Sequence, residues 1–298
     1  MKAVLTLLVA CGLCWPGWAQ DKPTVTWMVA DQPPASMPIN GRPTNGVLDV
    51  LWKLIVQRWP EVQHQYVVAP TARALTGLAE GREACVMGLV LTAERERIAY
   101  FSETHFGPPL QLITRSEVIR RLPRNAAGEV LPGTLFDRQD LHGLLVRNRS
   151  YSPHLDALLN QRGNNSAVAY VNNAEGGANV FKMIALKRAD YTLDYDFTLA
   201  YQLQRESAFF QNKRQTLVAV PVAGSLSFAS GIACPRTPWG RQAILKIDSI
   251  VAGLATNKEY QESGNRWLTP QTVQRYRKDW EAFFRNRERL TDPQRYAP

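Results

Sequence analysis

The chain has 298 residues and a formal net charge of +9, and its composition is 45% hydrophobic and 20% charged. This apolar content can build a sizeable core and therefore excludes a disordered protein. Much of the positive charge lies in the C-terminal tail, and no basic run is long enough to indicate a nucleic-acid arm. The charge indicates either a solvated basic surface or attraction to an anionic ligand or to the cell envelope.

The N-terminus has the pattern of a secretory signal peptide. A basic residue precedes an apolar run, and the small residues Gly17 and Ala19 lie just before a cleavage site after Ala19. We therefore predict a signal peptide over 1–19 and a periplasmic mature protein. Cys11 also matches a lipid-acceptor position, so a lipoprotein is the alternative. No later segment is apolar for long enough to cross a membrane.

In the first half of the mature chain, apolar β-branched runs alternate with runs of helical spacing. This alternation is typical of βαβ units and of a mostly parallel sheet. A loop rich in Pro, Gly and Asn follows the first strand. The predicted elements are strands at 24–30, 64–70, 84–90 and 109–115, with helices at 47–60 and 71–83.

The layout then restarts after a connecting segment at 116–140. A second α/β unit is followed by a long helical pattern that is broken near Asn257 and Gly264. Two sequential units predict two lobes and a cleft, with a ligand beyond the carboxyl ends of the strands. The predicted elements are strands at 143–148, 166–172, 190–196, 216–222 and 227–235, with helices at 152–163, 178–189, 198–206 and 239–268.

One stretch, LTAERERIAYFSE, carries a misplaced charge. Thr92 has the features of a helix cap, and Arg95 follows in the first turn, where a cation meets the positive helix end unfavourably. Arg95 is either a surface charge paired with a nearby glutamate or the partner of an external anion. The glutamates available to it locally are Glu94, Glu96 and Glu103.

Several weak motifs occur in a fixed order along the chain. They are Pro33-Pro34, Gly46 before VLDVLWKLI, LAEGREACVMG, TAERERIAYFSETHF, DLHGLLVRN, LKRADYTLDYDFTLAYQL and the segment that begins SGIACPR. In this order and spacing they resemble the type II periplasmic solute-binding proteins of the polar amino-acid-binding family (family 3), and the chain is identified as a divergent member. The resemblance covers nearly the whole mature chain.

The resemblance implies an α/β, two-lobed fold of the periplasmic-binding-protein type II. Each lobe is then a mostly parallel sheet flanked by helices, and two crossover strands join the lobes. Lobe 1 is expected to comprise 20–112 and 231–298, including a helical tail at 270–298, and lobe 2 to comprise 113–230. Ligand binding would close the cleft about the hinge.

The resemblance also implies a ligand site. Arg95 matches the arginine that clamps a ligand carboxylate, and a guanidinium fork suits that task because it forms two parallel hydrogen bonds. Thr92 caps a helix end that would offer N–H groups to the same anion. Val90 replaces the usual hydroxyl residue, and Tyr195 stands where the family places the acid for an ammonium group.

Further candidates come from the loops that follow the predicted strands. Arg147 and Arg149 are either donors for an anion or members of an exposed basic loop. The acids that flank Tyr195 would restore an ammonium site if the alignment shifts by one residue. The ligand-binding residues that we predict are Arg95, Thr92, Arg73, Asp31, Gln32, Ser150, Tyr151, Ser152, Asp194 and Tyr195.

The resemblance gives the two cysteines of the mature chain a role. Cys85 lies at the start of the third strand, and Cys234 lies near the end of the strand that returns to lobe 1. In the family these strands are antiparallel neighbours, which predicts a Cys85–Cys234 disulfide, and an oxidising compartment permits it. The alternative is a pair of buried thiols.

The function expected from these observations is that of a monomeric periplasmic solute-binding protein. It would capture a small ligand that carries a carboxylate or other anionic group and that could resemble an amino acid. It would present this ligand to a membrane permease for ABC-type uptake. We expect no cofactor, metal, nucleic-acid partner or catalytic activity. The alternatives are a sensory or scaffolding binding protein and, less favoured because LDYDFTLAY contains no Glu, a hydro-lyase.

Overall fold

A computed structural model describes residues 22–147, 149, 151–162, 167–172, 178–211 and 217–297. The predicted signal peptide, including Cys11, lies outside the described residues, and so does the candidate residue Ser150. No helix within the described ranges is long and apolar enough to cross a membrane.

Ten strands form two five-stranded sheets, one for each lobe. The sheet of lobe 1 has the order β2-β1-β3-β10-β4, and the sheet of lobe 2 has the order β7-β6-β8-β5-β9. The strands of lobe 1 are β1 Thr24–Val29, β2 Gln63–Val68, β3 Ala84–Val90, β4 Ala99–Gly107 and β10 Phe228–Pro235. Those of lobe 2 are β5 Gln111–Arg115, β6 Gly143–Val146, β7 Val168–Val171, β8 Tyr191–Asp194 and β9 Leu217–Pro221.

Each sheet contains one strand that runs against the other four. In lobe 1, β1 is parallel to β2 and β3, whereas β10 is antiparallel to both β3 and β4. In lobe 2, β6 is parallel to β7 and β8, whereas β5 is antiparallel to both β8 and β9. The predicted fold, two mostly parallel sheets flanked by helices, is confirmed.

Helices cover the sheets of both lobes. The helices of lobe 1 are α1 Val47–Arg58, α2 Thr71–Ala79, α3 Ala93–Glu96, α9 Pro238–Leu254, α10 Lys258–Asn265 and α11 Pro270–Arg287. The helices of lobe 2 are α4 Pro132–Phe136, α5 Pro153–Asn160, α6 Ala178–Ala185, α7 Asp196–Arg205 and α8 Ser207–Gln211. The predicted break in the long C-terminal pattern is present, because Asn257 caps α10 by accepting a hydrogen bond from the Tyr260 N–H.

The chain passes between the sheets twice. It leaves β4 at Gly107 and enters β5 at Gln111, and it leaves β9 at Pro221 and enters β10 at Phe228. Apolar side chains fill each lobe separately: the core of lobe 1 surrounds Trp27, and that of lobe 2 occupies both faces of its sheet. Each lobe therefore has its own core, as a hinged molecule requires.

β4 has no clear strand signal in the sequence. Its sequence, AYFSETHFG, is interrupted by polar residues, so it lacks the apolar run or the strict alternation of a strand. Two of these polar side chains have long-range partners. Ser102 donates to Asp248 at 2.8 Å, and Glu103 accepts from Arg295 at 2.9 Å. These partners come from the C-terminal region and make β4 part of the core.

The C-terminal tail, which comprises α11 and the residues after it, packs back on lobe 1. Asp248 accepts from Arg287 at 3.0 Å and from the backbone and hydroxyl of Thr291 at 2.8 Å each. Burial acts to raise the pKa of Asp248, but the Thr291 hydrogen bonds and the Arg287 charge outweigh it and lower the pKa. Tyr296 is 1% exposed and donates to the Phe101 carbonyl at 3.1 Å.

The segment before α11 also touches lobe 2. Asp196, at the start of α7, accepts from the Thr269 backbone N–H at 2.7 Å and from the Thr269 hydroxyl at 2.9 Å. The Tyr201 and Trp267 rings meet edge to face with centroids 5.7 Å apart. The segment before α11 thus contacts lobe 2, whereas the tail itself packs on lobe 1.

The predicted Cys85–Cys234 disulfide is present in the structure. Its sulfur atoms are 2.00 Å apart, and it joins β3 to β10 across 149 residues of sequence. Both cysteines are buried within the core of lobe 1. Because the loop is long, the crosslink removes much conformational freedom from the unfolded chain.

We expect the double substitution Cys85→Ala/Cys234→Ala to lower the free energy of unfolding by about 2–5 kcal/mol, through lost loop closure. Urea unfolding of a chain that begins at Gln20 measures it, and reduced wild-type protein should show a similar loss. Two reactive thiols in the denatured, unreduced chain would contradict the pairing.

A second prediction concerns His105 on β4. Burial lowers its pKa to about 4 from 6.5, and its ring packs edge to face on Tyr260 at 5.5 Å. The unfolded chain therefore binds this proton at a higher pH than the folded protein, and stability falls as the pH drops from 6.5 towards 4. His105→Gln should remove up to about 3 kcal/mol of that loss.

Urea unfolding at pH 7.0, 5.5 and 4.5 measures this effect. The matched control is His142→Gln, which replaces an exposed histidine in lobe 2. An identical pH dependence in the wild type and in His105→Gln would show that the ring does not resist protonation.

Candidate functional site

The topology gathers the predicted site residues at two sheet edges. β1, β2 and β3 run in one direction, so the loops after them meet at one edge of lobe 1. These loops carry the candidates Asp31, Gln32, Arg73, Thr92 and Arg95. The loops after β6 and β8 meet in the same way in lobe 2. They carry the candidates Tyr151, Ser152, Asp194 and Tyr195.

The loop between β1 and α1 is held in place by hydrogen bonds to the buried carboxylate of Asp49. Its two oxygens accept from the backbone N–H groups of Met37, Thr44 and Gly46 at 3.0, 3.2 and 3.0 Å, and from the Tyr66 hydroxyl at 2.8 Å. A Cβ at Gly46 would lie 2.9 Å from an Asp49 oxygen, so glycine is required there. The sequence reading included Gly46 but missed Asp49.

Asp31 and Gln32 lie at the start of this fixed loop. The backbone of Gln32 exchanges two hydrogen bonds of 3.1 Å with Ser36, and the side chains of Asp31 and Gln32 are exposed. Arg73 lies in the first turn of α2 and is exposed as well. These three residues share the edge of lobe 1.

Arg95 is half-buried and is oriented by the backbone. Its guanidinium Nη1 donates to the Val90 carbonyl at 2.7 Å, and its own N–H donates to the Thr92 hydroxyl at 3.3 Å. Val90 lacks the hydroxyl of the family pattern, but its carbonyl holds the arginine in place. α3 has four residues, so its single turn adds little dipole and the helix-end argument for Thr92 is weaker than the sequence indicated.

Two of the three glutamates near Arg95 are paired with another residue, and the third, Glu94, is exposed. Arg295 of the tail contacts Glu96 at 2.7 Å and Glu103 at 2.9 Å. Within the described part of the chain, Arg95 has no carboxylate partner within 4 Å. A half-buried guanidinium without a counter-ion is well placed to bind an anion from solution.

In lobe 2, Arg149 and Asp194 form a bidentate ion pair. Nη1 and Nη2 of Arg149 each donate to one Asp194 oxygen at 2.8 Å. Burial acts to lower the pKa of Arg149, but the hydrogen bonds and charge of Asp194 outweigh it and raise the pKa. The sequence named both residues but missed their pairing.

The ring of Tyr151 packs against the guanidinium group of this pair. Its ring lies 5.5 Å from the guanidinium carbon of Arg149, and its hydroxyl accepts from the Val146 N–H at 2.7 Å. Burial raises the pKa of Tyr151 to about 12, so the hydroxyl stays neutral. Ser152 caps α5 by accepting from the Leu155 N–H at 3.2 Å.

The segment after β8 has both of its acids engaged inside the protein. Asp194 also accepts from the Tyr195 N–H at 2.7 Å, in addition to its pairing with Arg149. Asp196 is buried against Thr269, and burial raises its pKa. The Tyr195 ring stacks on Phe197 at 4.9 Å and contacts Phe228 of β10 edge to face at 5.5 Å. Tyr195 therefore lies where lobe 2 meets a crossing segment.

The structure joins Thr92 to Arg95 in lobe 1 and Asp194 to Tyr195 in lobe 2. Among the described residues, no hydrogen bond or ion pair links the candidates of one lobe to those of the other. Two cavities of about 350 and 360 Å³ lie away from all the candidates. The first lies between α10 and α11, and the second lies between α4 and α5 beside Gly224.

The described residues contain no group of three or more His, Cys, Asp or Glu side chains that could hold a metal ion. The candidate side chains themselves offer hydrogen bonding and charge. The donors of the site are guanidinium groups, and its resident lobe 2 carboxylates already have partners.

The fold is that of the type II periplasmic binding proteins. The chain is similar to a probable amino-acid ABC transporter extracellular-binding protein of Bacillus subtilis at 15% identity and TM-score 0.58, covering 85% of this chain and 100% of that one. It is similar to a histidine kinase sensor domain with similarity to periplasmic binding proteins at 18% identity and TM-score 0.55, covering 84% and 99%.

A third similar structure is an ancestral amino-acid-binding protein described as a precursor of cyclohexadienyl dehydratase. It is 16% identical with TM-score 0.56, and the match covers 83% of this chain and 96% of that one. No family model and no curated protein matches the chain. The resemblance found in the sequence is thus confirmed for the fold. At identities this low, structural similarity is evidence for the fold alone.

Proposed function

We propose that the protein is a solute-binding protein that captures a small organic anion in the cleft between its lobes. The observation that carries this proposal is Arg95. It is half-buried at the edge where ligands of such sheets bind, it is oriented by the Val90 carbonyl, and it has no carboxylate partner among the described residues. Arg295 pairs with Glu96 and Glu103, two of the three glutamates that the sequence offered to Arg95.

The architecture supports closure around such a ligand. Two short crossing segments, 108–110 and 222–227, join lobes that have separate cores, and a hinge needs only a few residues of this kind. The lobe limits expected from the sequence, 20–112 with 231–298, and 113–230, fall two residues inside β5 and three inside β10, so we propose that the limits lie in the crossing segments 108–110 and 222–227. We also propose that Asp31, Gln32, Arg73 and Thr92 line the lobe 1 side.

We further propose that the protein works in the periplasm. The predicted signal peptide at 1–19 would export it, and the Cys85–Cys234 disulfide is suited to an oxidising compartment. In this setting the loaded protein would present its ligand to a membrane permease of the ABC type. The similar extracellular-binding protein of Bacillus subtilis supports this role.

A sensory role is the second candidate. The likeness to a histidine kinase sensor domain favours it, since binding proteins and sensors share the same cleft. A hydro-lyase is disfavoured, because the segment after β8, DYDFTLAY, contains no glutamate, and we assign no catalytic residue.

A thermal-shift screen tests the proposed site. The panel contains amino acids, dicarboxylates, sugar acids and small peptides. A ligand at 100 times its dissociation constant should stabilise the wild type by about 2.7 kcal/mol. Arg95→Ala should weaken that ligand at least about tenfold, because a charge-assisted fork is lost.

The matched control for this substitution is Arg97→Ala. Arg97 follows the same short helix and is exposed, so its removal changes the net charge equally and should leave affinity unchanged. Equal affinity in the wild type and in Arg95→Ala would contradict the placement of the site. Silence of the whole panel would contradict the class of ligand.

A further inference from the structure

The lobe 2 half of the site contains a carboxylate, Asp194, that is already ion-paired with an arginine of the same chain. The Asp194 side chain is 5% exposed, and both of its oxygens bind the Arg149 fork at 2.8 Å. An incoming ammonium group would have to displace this fork. It would replace two parallel hydrogen bonds with a point charge and leave the guanidinium without its partner.

The next acid along the chain does not offer a substitute. Asp196 is buried, and its oxygens accept from the backbone and the hydroxyl of Thr269 at 2.7 and 2.9 Å. A third acid near this edge, Asp156 of α5, accepts from the Tyr151 N–H at 2.9 Å. Asp194, Asp196 and Asp156 are therefore all engaged within the protein. On the facing edge of lobe 1, the acids Asp31 and Glu94 are exposed and screened by water.

Arg149, in contrast, has N–H donors beyond those that its described partner Asp194 uses. A guanidinium carries five N–H groups, and Asp194 takes two of them in this geometry. Its side chain is 27% exposed, and the buried ring of Tyr151 supports it at 5.5 Å. The lobe 2 edge thus presents N–H donors, whose natural partners are carboxylate, hydroxyl and carbonyl oxygens.

We propose that the Arg149–Asp194 pair is the specificity determinant of the cleft. It makes lobe 2 accept oxygen acceptors and reject an ammonium group, so the ligand is an organic acid without an α-amino group, such as a dicarboxylic, hydroxy or oxo acid. The inference rests on the proposed function, in which Arg95 binds a carboxylate from the opposite lobe. Asp194 acts here as a positioning residue for Arg149.

Matched pairs of compounds test this inference by calorimetric titration. Each pair differs by one amino group: succinate and aspartate, glutarate and glutamate, and 3-phenylpropionate and phenylalanine. In the pair that binds the wild type most tightly, the amino-free member should bind at least about tenfold more tightly. The Arg149→Met variant frees Asp194 and should shift this ratio at least about tenfold towards the amino acid.

A matched control and a second variant guard against misfolding. Arg138→Gln removes the fork of a similar bidentate pair with Asp140, which precedes β6 at the opposite edge of the sheet, and should leave the ratio unchanged. Asp194→Asn keeps the shape of the carboxylate but leaves Arg149 as a free cation. This variant should bind the amino-free acid more tightly and reject the amino acid more strongly.

The outcomes separate the two proposals. If the wild type prefers the amino acid, or if Arg149→Met leaves the ratio unchanged, the inference is overturned. In either case the function proposed for the cleft survives, provided that binding still depends on Arg95. A gain of amino-acid binding in Asp194→Asn would also overturn the inference. If neither member of any pair binds and the thermal-shift panel is silent as well, the proposed function fails and the inference falls with it. If the panel gives a ligand outside these pairs, that ligand and its counterpart that differs by one amino group become the pair that decides the inference.

Discussion

The insertion of β10 between β3 and β4 is the constraint on which the rest of the molecule depends. Its antiparallel ladders with both strands bring a late part of the chain into the middle of a sheet that the early part began. Everything between β4 and β10 must therefore form a separate body, joined to lobe 1 through two adjacent crossings. The same insertion places Cys234 beside Cys85 and carries Phe228 to Tyr195, where lobe 2 meets the crossing.

Most elements of the fold could be predicted from the sequence because their signals are local. β3 has the predicted bounds, and α1 and α5 begin within a residue of theirs, because apolar periodicity and capping residues act over a few positions. β4 could not be separated in this way. Its polar residues Ser102 and Glu103 are satisfied by Asp248 and Arg295, and a partner more than a hundred residues away leaves no mark on the local pattern.

In the candidate site, too, local features could be predicted from the sequence and long-range pairs could not. The sequence pointed to Thr92 and Arg95 because a cap and a misplaced cation lie three residues apart. Arg149 and Asp194 were both recognised as candidates, but the sequence gave no sign that they pair across 45 residues. It also gave no sign that Glu96 pairs with Arg295 and not with the adjacent Arg95. Which charges are left free for a ligand depends on such long-range pairs, so the free charge is a property of the folded chain.

The disulfide has a further consequence that follows from connectivity. Since it joins β3 to β10, the whole of lobe 2 belongs to a covalent ring that closes inside lobe 1. A protease that cuts once within lobe 2 would therefore release no fragment: both pieces would stay bonded, and their ends in lobe 1 would remain paired in one sheet. A single cut in an exposed segment of lobe 2 thus leaves the molecule in one covalent piece until the disulfide is reduced.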